Sequence, residues 1–257
     1  MRHDEHVRDS FGKQVSLFTG TTSPFAGGDH ALERWGPLEV DDIVLDVACG
    51  AAHVAEQLAP HVRQVVGVDL TPALLEVGAR RLHDASVGNV LLQEGDAAAL
   101  PFVDESFDVV VCRGSLHHFG DVDACLLEMR RVCRAGGRVA IDELIQPPSA
   151  DAPTRDRYDA LHRLLDPSHV RARTDEELHD LLTATIGPVT QHAMNDGVTL
   201  PLEIVVTDAS DADRVWRTIE DELAGGPATG FDPVRTGETI EVTFRTATFH
   251  VSRRRTT

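Results

Sequence analysis

Between residues 43 and 145, short apolar runs alternate with amphipathic stretches. The apolar runs are IVLDVA (43 to 48), VVGVDL (65 to 70), NVLLQ (89 to 93), FDVVVCR (107 to 113) and RVAIDELI (138 to 145). Their length and near-continuous apolar character suit strands buried on both faces. The intervening stretches read as helices: HVAEQLAP, then PALLEVGARRLHD with Pro72 in its first turn, then DVDACLLEMRRVCRAGG closing on a glycine pair. In the last of these Val122, Leu126, Met129 and Val132 recur at helical spacing, while Arg130, Arg131 and Arg134 gather near the C-terminal end, where the helix dipole favours cations. The alternation predicts a parallel sheet covered by helices on both faces.

QPPSADAP (146 to 153) interrupts this rhythm with three prolines and predicts the start of a capping segment. Two polar helices are expected near 154 to 166 and 174 to 185. A further helix is expected within 207 to 226, with Ser210 or Asp211 as its N-cap and paired glycines at its end. The run TIEVTFRTATFHVSR alternates apolar and polar residues, as an edge or antiparallel strand does. The expected fold is therefore a three-layer α/β sandwich: a mostly parallel sheet, an antiparallel last strand and a helical cap over about 146 to 186, with further insertion near 200 to 230.

Composition narrows the function. The chain has 257 residues, 42% of them hydrophobic, and carries 24 basic against 42 acidic residues for a formal charge of -18. Such a surface repels phosphate backbones and anionic lipids, so no nucleic-acid partner is expected. The basic run Arg253 to Arg255 reads as a solvated tail, and Lys13 is the only lysine. No apolar stretch reaches the roughly 20 residues of a membrane helix. The polar start MRHDEHVRDS lacks the apolar core of a signal peptide, so a cytoplasmic location without membrane insertion is expected. Cys49, Cys112, Cys125 and Cys133 have no CxxC spacing and read as reduced, buried thiols. His3, His6, His162 and His169 lack carboxylate or cysteine partners at ligand spacing; surface positions are expected for them, and no metal site.

In an open α/β sheet, ligands lie beyond the carboxyl ends of the strands. The first strand ends at Asp46 and the turn ACGAAH, the second at Asp69, the third at EGDA with Asp96, and the fourth at CRGSLHHF. Asp69 stands 19 residues beyond Gly50, a separation suited to an acceptor for ribose hydroxyls and equally to a cap for the helix opening near Thr71. The first turn is not G-x-G-x-x-G, which removes the pyrophosphate fingerprint and leaves a nicotinamide dehydrogenase as the weakest alternative. Gly50 can take a positive φ and admit a ligand to the backbone. Ala48 and Ala52 suit close packing of helix on strand, provided their backbones stay in regions alanine tolerates.

The ordered set VLDVACGAAHVA, VVGVDLTPALLEVGARRL, NVLLQEGDAAALPFVDESFDVVVCRGSLHHFGD and LLEMRRVCRAGGRVAIDE resembles the class I S-adenosylmethionine-dependent methyltransferases. It is most similar to the broad small-molecule group that includes the ubiquinone and menaquinone methyltransferases. The likeness covers residues 43 to 145 and, more weakly, SFGKQVSLF and LLDPSHVR (164 to 171). It implies a Rossmann-like, seven-stranded sheet and a division into an N-terminal helical lid (1 to 42), a cofactor-binding core (43 to 145), a cap with late core elements (146 to 235), and a last strand and tail (236 to 257). It further implies that Asp46 and the backbone of Ala48, Cys49, Gly50 and Ala51 hold the methionine part of S-adenosyl-L-methionine. Asp69 with Leu70 would hold the ribose, Asp96 and Ala97 the adenine edge, and Arg113 would border the methionine, with Phe11 and Gln14 closing the pocket. Family members usually carry glycine where Ala48 and Ala52 stand.

The resulting expectation is methyl transfer to an unidentified small molecule. His118, adjacent to His117, is either a wall residue or an acid/base. Asp142 and Glu143, ending the fifth strand, are either solvated or serve to orient or deprotonate the acceptor. The alternative is a protein that binds the cofactor without methyl transfer, as a regulatory or scaffold partner or in a reaction such as cyclisation. The acceptor and the oligomeric state are not legible in the sequence; an oligomer is compatible with it.

Overall fold

A computed structural model of the chain describes residues 3–13, 32–148, 150–195, 197–207 and 209–253. After helix α1 (His3–Lys13) and a 3-10 turn at Glu33–Trp35, the chain enters the alternation. It comprises β1 (Ile43–Val47), α2 (His53–Leu58), β2 (Gln64–Asp69), α3 (Pro72–Asp84), β3 (Val90–Glu94), β4 (Phe107–Arg113), α4 (Val122–Val132) and β5 (Cys133–Ile145). Then come α5 (Ala152–Leu165), α6 (Asp175–Thr185), β6 (Val189–Met194), β7 (Val198–Pro201), the short α7 (Leu202–Val205), α8 (Ala212–Leu223), β8 (Val234–Thr236) and β9 (Thr239–Ser252).

The main sheet runs β3-β2-β1-β4-β5-β9-β6, with the first four pairings parallel and β9 antiparallel to both β5 and β6. The last strand is thus interior and not an edge, which explains the buried Ala247, Phe249 and Val251 along it. Its first half leaves the sheet to pair with β7 and β8, so one strand links the core to the cap. β6, β7 and β8 were not legible as strands; β6 is mostly exposed and lacks a clean apolar alternation.

One apolar cluster, with Val110, Ile141, Leu126, Met129 and Phe249, fills one face of the sheet. A second, with Trp35, Val44, Leu58, Val65 and Val111, fills the other. A third, with Tyr158, Leu161, Leu202, Ile219 and Phe231, belongs to the cap. At roughly 25 cal/mol per Å² of buried apolar surface, each such cluster is a sizeable share of the driving force for folding.

Local signals set most boundaries. Pro72 occupies the first turn of α3, as the sequence indicates. Asp211, not Ser210, caps α8 by accepting the N–H of Arg214, while the Ser210 hydroxyl donates to the Leu164 carbonyl. α4 stops at Val132 instead of running to the glycine pair, because Cys133 turns extended and pairs with Phe107 of β4. No helix among the described residues is long and apolar enough to cross a membrane.

Candidate functional site

The carboxyl ends of β1, β2, β4 and β5 open into a cavity of about 850 Å³, closed from above by α1, the cap and β7. The turn after β1 has positive φ at three alternate residues: Ala48 (56°), Gly50 (52°) and Ala52 (62°). Only the middle one is a glycine. The two alanines therefore do not sit in ordinary alanine regions, contrary to the condition on which they suited this turn; each carries a left-handed backbone that costs an L-residue about 1–2 kcal/mol. The turn's reward is an open backbone arc facing the cavity, to which Ala48, Cys49, Gly50 and Ala51 all contribute.

Asp46 lies beneath this arc and is buried. Its Oδ2 has no hydrogen-bond partner. Burial pushes its pKa up to about 7, against the opposing pull of the Arg113 guanidinium and with a further push from Asp69. A buried carboxylate oxygen without a partner is costly in a folded chain, so one at a cavity wall is suited to a cationic or hydrogen-donating ligand.

Asp69, at the tip of β2, accepts the N–H of Gly50 through Oδ2 and that of Thr71 through Oδ1, each at 2.8 Å. It therefore both steadies the first turn and supports the start of α3, where Thr71 is the N-cap. Asp69 lines the cavity together with Leu70. Burial raises its pKa, although the Thr71 and Gly50 amides oppose the shift. Further along the sheet edge, Asp96 accepts the Ala98 N–H at 2.8 Å, and Asp96 and Ala97 line the wall beyond β3.

At the other end, charges alternate. Arg113 lies between Asp46 and Asp142, whose fields sustain its charge against burial. Asp142 is held by Arg34 (2.8 Å), Thr248 (3.1 Å) and Asn195 (3.3 Å). So Asp142 lines the cavity as a fixed anion, not as a solvated strand end. Glu143 does not line the cavity. It is 1% exposed and points to the turn after β4, where its Oε2 accepts the N–H groups of Ser115 (3.0 Å) and Leu116 (2.8 Å) and its Oε1 accepts Nδ1–H of His117. The role of a carboxylate touching the acceptor is thereby corrected for Glu143: strand alternation turns it away from the side Asp142 faces.

His117 and His118 both line the cavity. His118 meets Phe11 edge-on at 5.0 Å between ring centroids, and its Nδ1 contacts the Ser168 hydroxyl at 2.9 Å. Ser168 and Ser10 both donate to Asp166 at 2.7 Å, which fastens α1, the cap and the β4 turn together. Phe11 lines the cavity from α1, while Gln14 lies outside the described residues.

His162 and His169 are not surface residues. They are 8% and 4% exposed, stack at 4.9 Å, and also line the cavity, with His169 bonded to Asp159 at 2.7 Å. The segment DPSH folds back on the β4 turn, where the His117 carbonyl accepts the Val170 N–H at 2.8 Å, a long-range contact that spacing along the chain could not reveal. Arg34 and Asn195 were likewise missed, since neither belongs to a motif. All four cysteines are buried free thiols. Among the described residues, no group of three or more His, Cys, Asp or Glu could hold a metal ion.

Comparison with known proteins finds methyltransferases. A family model described as a methyltransferase domain matches residues 45–141. The chain is 38% identical over 142 residues to the uncharacterized methyltransferase YcgJ of Bacillus subtilis, covering 55% of each chain. It is 35% identical over 164 residues to the 2-phytyl-1,4-naphtoquinone methyltransferase of Synechocystis, covering 60% of this chain and 68% of that one. The crystal structure of YcgJ superposes with a TM-score of 0.75 at 27% identity, over 89% of this chain and all of the other. The chain spans about half the length of curated relatives such as YcgJ.

Proposed function

The chain belongs to the class I S-adenosylmethionine-dependent methyltransferases, and from that membership we propose that it transfers the methyl group of S-adenosylmethionine to a small-molecule acceptor. The observation that carries the reading is the buried, unpartnered Oδ2 of Asp46 beside an arc of open backbone. A cofactor whose amino acid end bears an ammonium group and which has no pyrophosphate fits that pairing of a carboxylate with a short glycine-poor turn.

In this reading Asp46 receives the ammonium of the methionine part, and the turn from Ala48 to Ala51 lies along it. Asp69 accepts ribose hydroxyls with its remaining lone pairs, Asp96 and Ala97 border the adenine, and Arg113 borders the methionine carboxylate. Phe11 and His118 close the cavity. When bound, the cofactor supplies a methyl group already activated by its sulfonium. The chain's remaining tasks are to align the acceptor and to exclude water, and α1 and the cap are placed to do both. Binding without methyl transfer is not favoured, since the relatives that the chain resembles are methyltransferases.

Calorimetry with S-adenosylmethionine, S-adenosylhomocysteine and NAD tests the reading. Micromolar binding of the first two, lost in Asp69→Ala and not shared by NAD, supports it. A folded sample that binds neither overturns it.

A further inference from the structure

Two features around the β4 turn remain unexplained by cofactor binding: a fully buried glutamate of β5, and a histidine that this glutamate aims. Glu143 is enclosed on all sides, yet its two oxygens are spent on one turn. Oε2 takes the Ser115 and Leu116 amides, Oε1 takes the Leu144 amide at 3.0 Å and Nδ1–H of His117. The neutral ring of His117 thus carries its proton on Nδ1 and its lone pair on Nε2. Its side chain is 11% exposed, against 2% for Glu143, and forms part of the cavity wall with Arg113, Gly114 and Ser115. No described residue bonds to Nε2 of His117. A carboxylate that fixes the tautomer of an imidazole whose other nitrogen faces a ligand is the arrangement that makes histidine a general base.

We propose that His117 is the general base of this site, positioned by Glu143, and that the acceptor is a neutral molecule presenting an ionisable hydroxyl on an apolar body. This rests on the proposed methyl transfer. The apolar body follows from the cap side of the chamber, walled by Leu165, Leu200, Ile204, Val205 and Phe244. Nε2 takes the hydroxyl proton, giving an imidazolium paired with the Glu143 carboxylate. The electron pair left on oxygen forms the new bond to the methyl carbon, the carbon–sulfur pair departs with the sulfide, and the proton passes from Nε2 to solvent. The groups facing His117 are Glu143 from β5, His118 on its own turn, and His169 of the cap at 5.4 Å between centroids, itself turned toward Asp159. His169 is held below its usual pKa, first by burial. It therefore adds no positive charge beside a proton-accepting neighbour at neutral pH.

Glu143→Gln gives a test that needs no known acceptor. The glutamine oxygen stays on the Ser115 and Leu116 amides, which leaves its NH₂ facing Nδ1 and the Leu144 amide, and moves the ring proton to Nε2. Nitrogen-15 histidine spectra of the full chain saturated with S-adenosylhomocysteine are expected to show His117 with its proton on Nδ1 in the wild type and on Nε2 in the variant. In parallel, 4-nitrophenol is added to the same complex, and its visible absorption reads the fraction ionised. Its ionisation midpoint is expected to fall by about one pH unit, a tenfold effect, and to return to the buffer value in His117→Gln and Glu143→Gln. An Nε2–H tautomer in the wild type, a bound phenol that stays neutral, ionisation unchanged in His117→Gln, or no phenol binding overturns the proposal. Failure to bind S-adenosylhomocysteine, read separately by calorimetry, overturns the methyltransferase reading on which it rests.

Discussion

Asp69 accepts the backbone N–H of Gly50 at 2.8 Å, across 19 residues of chain and from the neighbouring strand. The bond joins the tip of β2 to the turn after β1, so the residue proposed to hold the ribose also sets the shape of the turn proposed to hold the methionine. Asp69→Ala removes the acceptor of two amides at once and leaves the Gly50 and Thr71 N–H groups short of partners. Unfolding is expected to become easier by about 1–3 kcal/mol, and cofactor affinity to fall more than tenfold. Thermal denaturation with and without S-adenosylhomocysteine separates the two effects. A variant that binds as tightly as the wild type removes Asp69 from the site.

The left-handed alanines lead to the opposite kind of change. Ala48 lies in a conformation that glycine adopts freely, so Ala48→Gly is expected to stabilise the chain, by roughly 1 kcal/mol after the added freedom of the unfolded chain is subtracted. Ala52→Gly is expected to gain less. Its Cβ fills the space beside Gly78, where a Cβ on that glycine would lie 3.0 Å away, and removing it gives up packing on a fully buried position. Denaturant midpoints rank the two variants, and an Ala48→Gly protein less stable than the wild type contradicts the strain.

Asp46 couples the site to pH. Its folded pKa, pushed up to about 7 by burial, exceeds the ordinary aspartate value of 3.8. Its contribution to stability is therefore fully present below the unfolded pKa and is lost as pH rises through about 7. Binding runs the other way. A cationic ligand pairs with the ionised form, so below pH 7 affinity is expected to rise up to tenfold per pH unit and to release up to one proton. Calorimetry in two buffers of different ionisation heat counts that proton, and Asp46→Asn is expected to abolish it.

The α/β core and the positions of Asp46, Asp69, Asp96 and Arg113 were legible because each stands at or just beyond the carboxyl end of an apolar run, the side on which an open α/β sheet takes its ligands. What failed to read were contacts between segments far apart in sequence. Glu143 and Asp142 are neighbours and look equivalent as letters, yet strand alternation sends one toward the turn and the other into the cavity. His162 and His169 looked like solvated histidines because nothing in their own segment provides a partner at ligand spacing, while their burial comes from the cap folding onto the β4 turn. The backbone of Ala48 and Ala52 was hidden for a different reason: alanine's preference is for right-handed regions, and the surrounding fold overrides it.

The buried histidines of the cap and the β4 turn make the fold sensitive to acid. Burial holds His118, His162 and His169 below the usual histidine pKa, with neighbouring histidines adding to the effect. Depressed folded pKa values give stability that is present above about pH 6.5 and is lost as pH falls, because the unfolded chain takes up protons that the folded one refuses. Up to three protons are expected to be bound on unfolding near pH 6, the reverse in sign of the Asp46 effect. His162 separates the causes. Its Nε2 is buried without a partner, while its ring packs among Tyr158, His169, Phe231 and Phe244. Replacing it with phenylalanine keeps the aromatic contacts and removes the unsatisfied nitrogen, so His162→Phe is expected to gain about 1 kcal/mol at pH 7. The same variant is expected to lose one proton from the acid transition, and stability curves at pH 5.5 and 7.5 measure both. If His162→Phe is destabilised at pH 7, or the acid slope is unchanged, the ring nitrogen is satisfied in solution and the acid sensitivity lies with His118 and His169 alone.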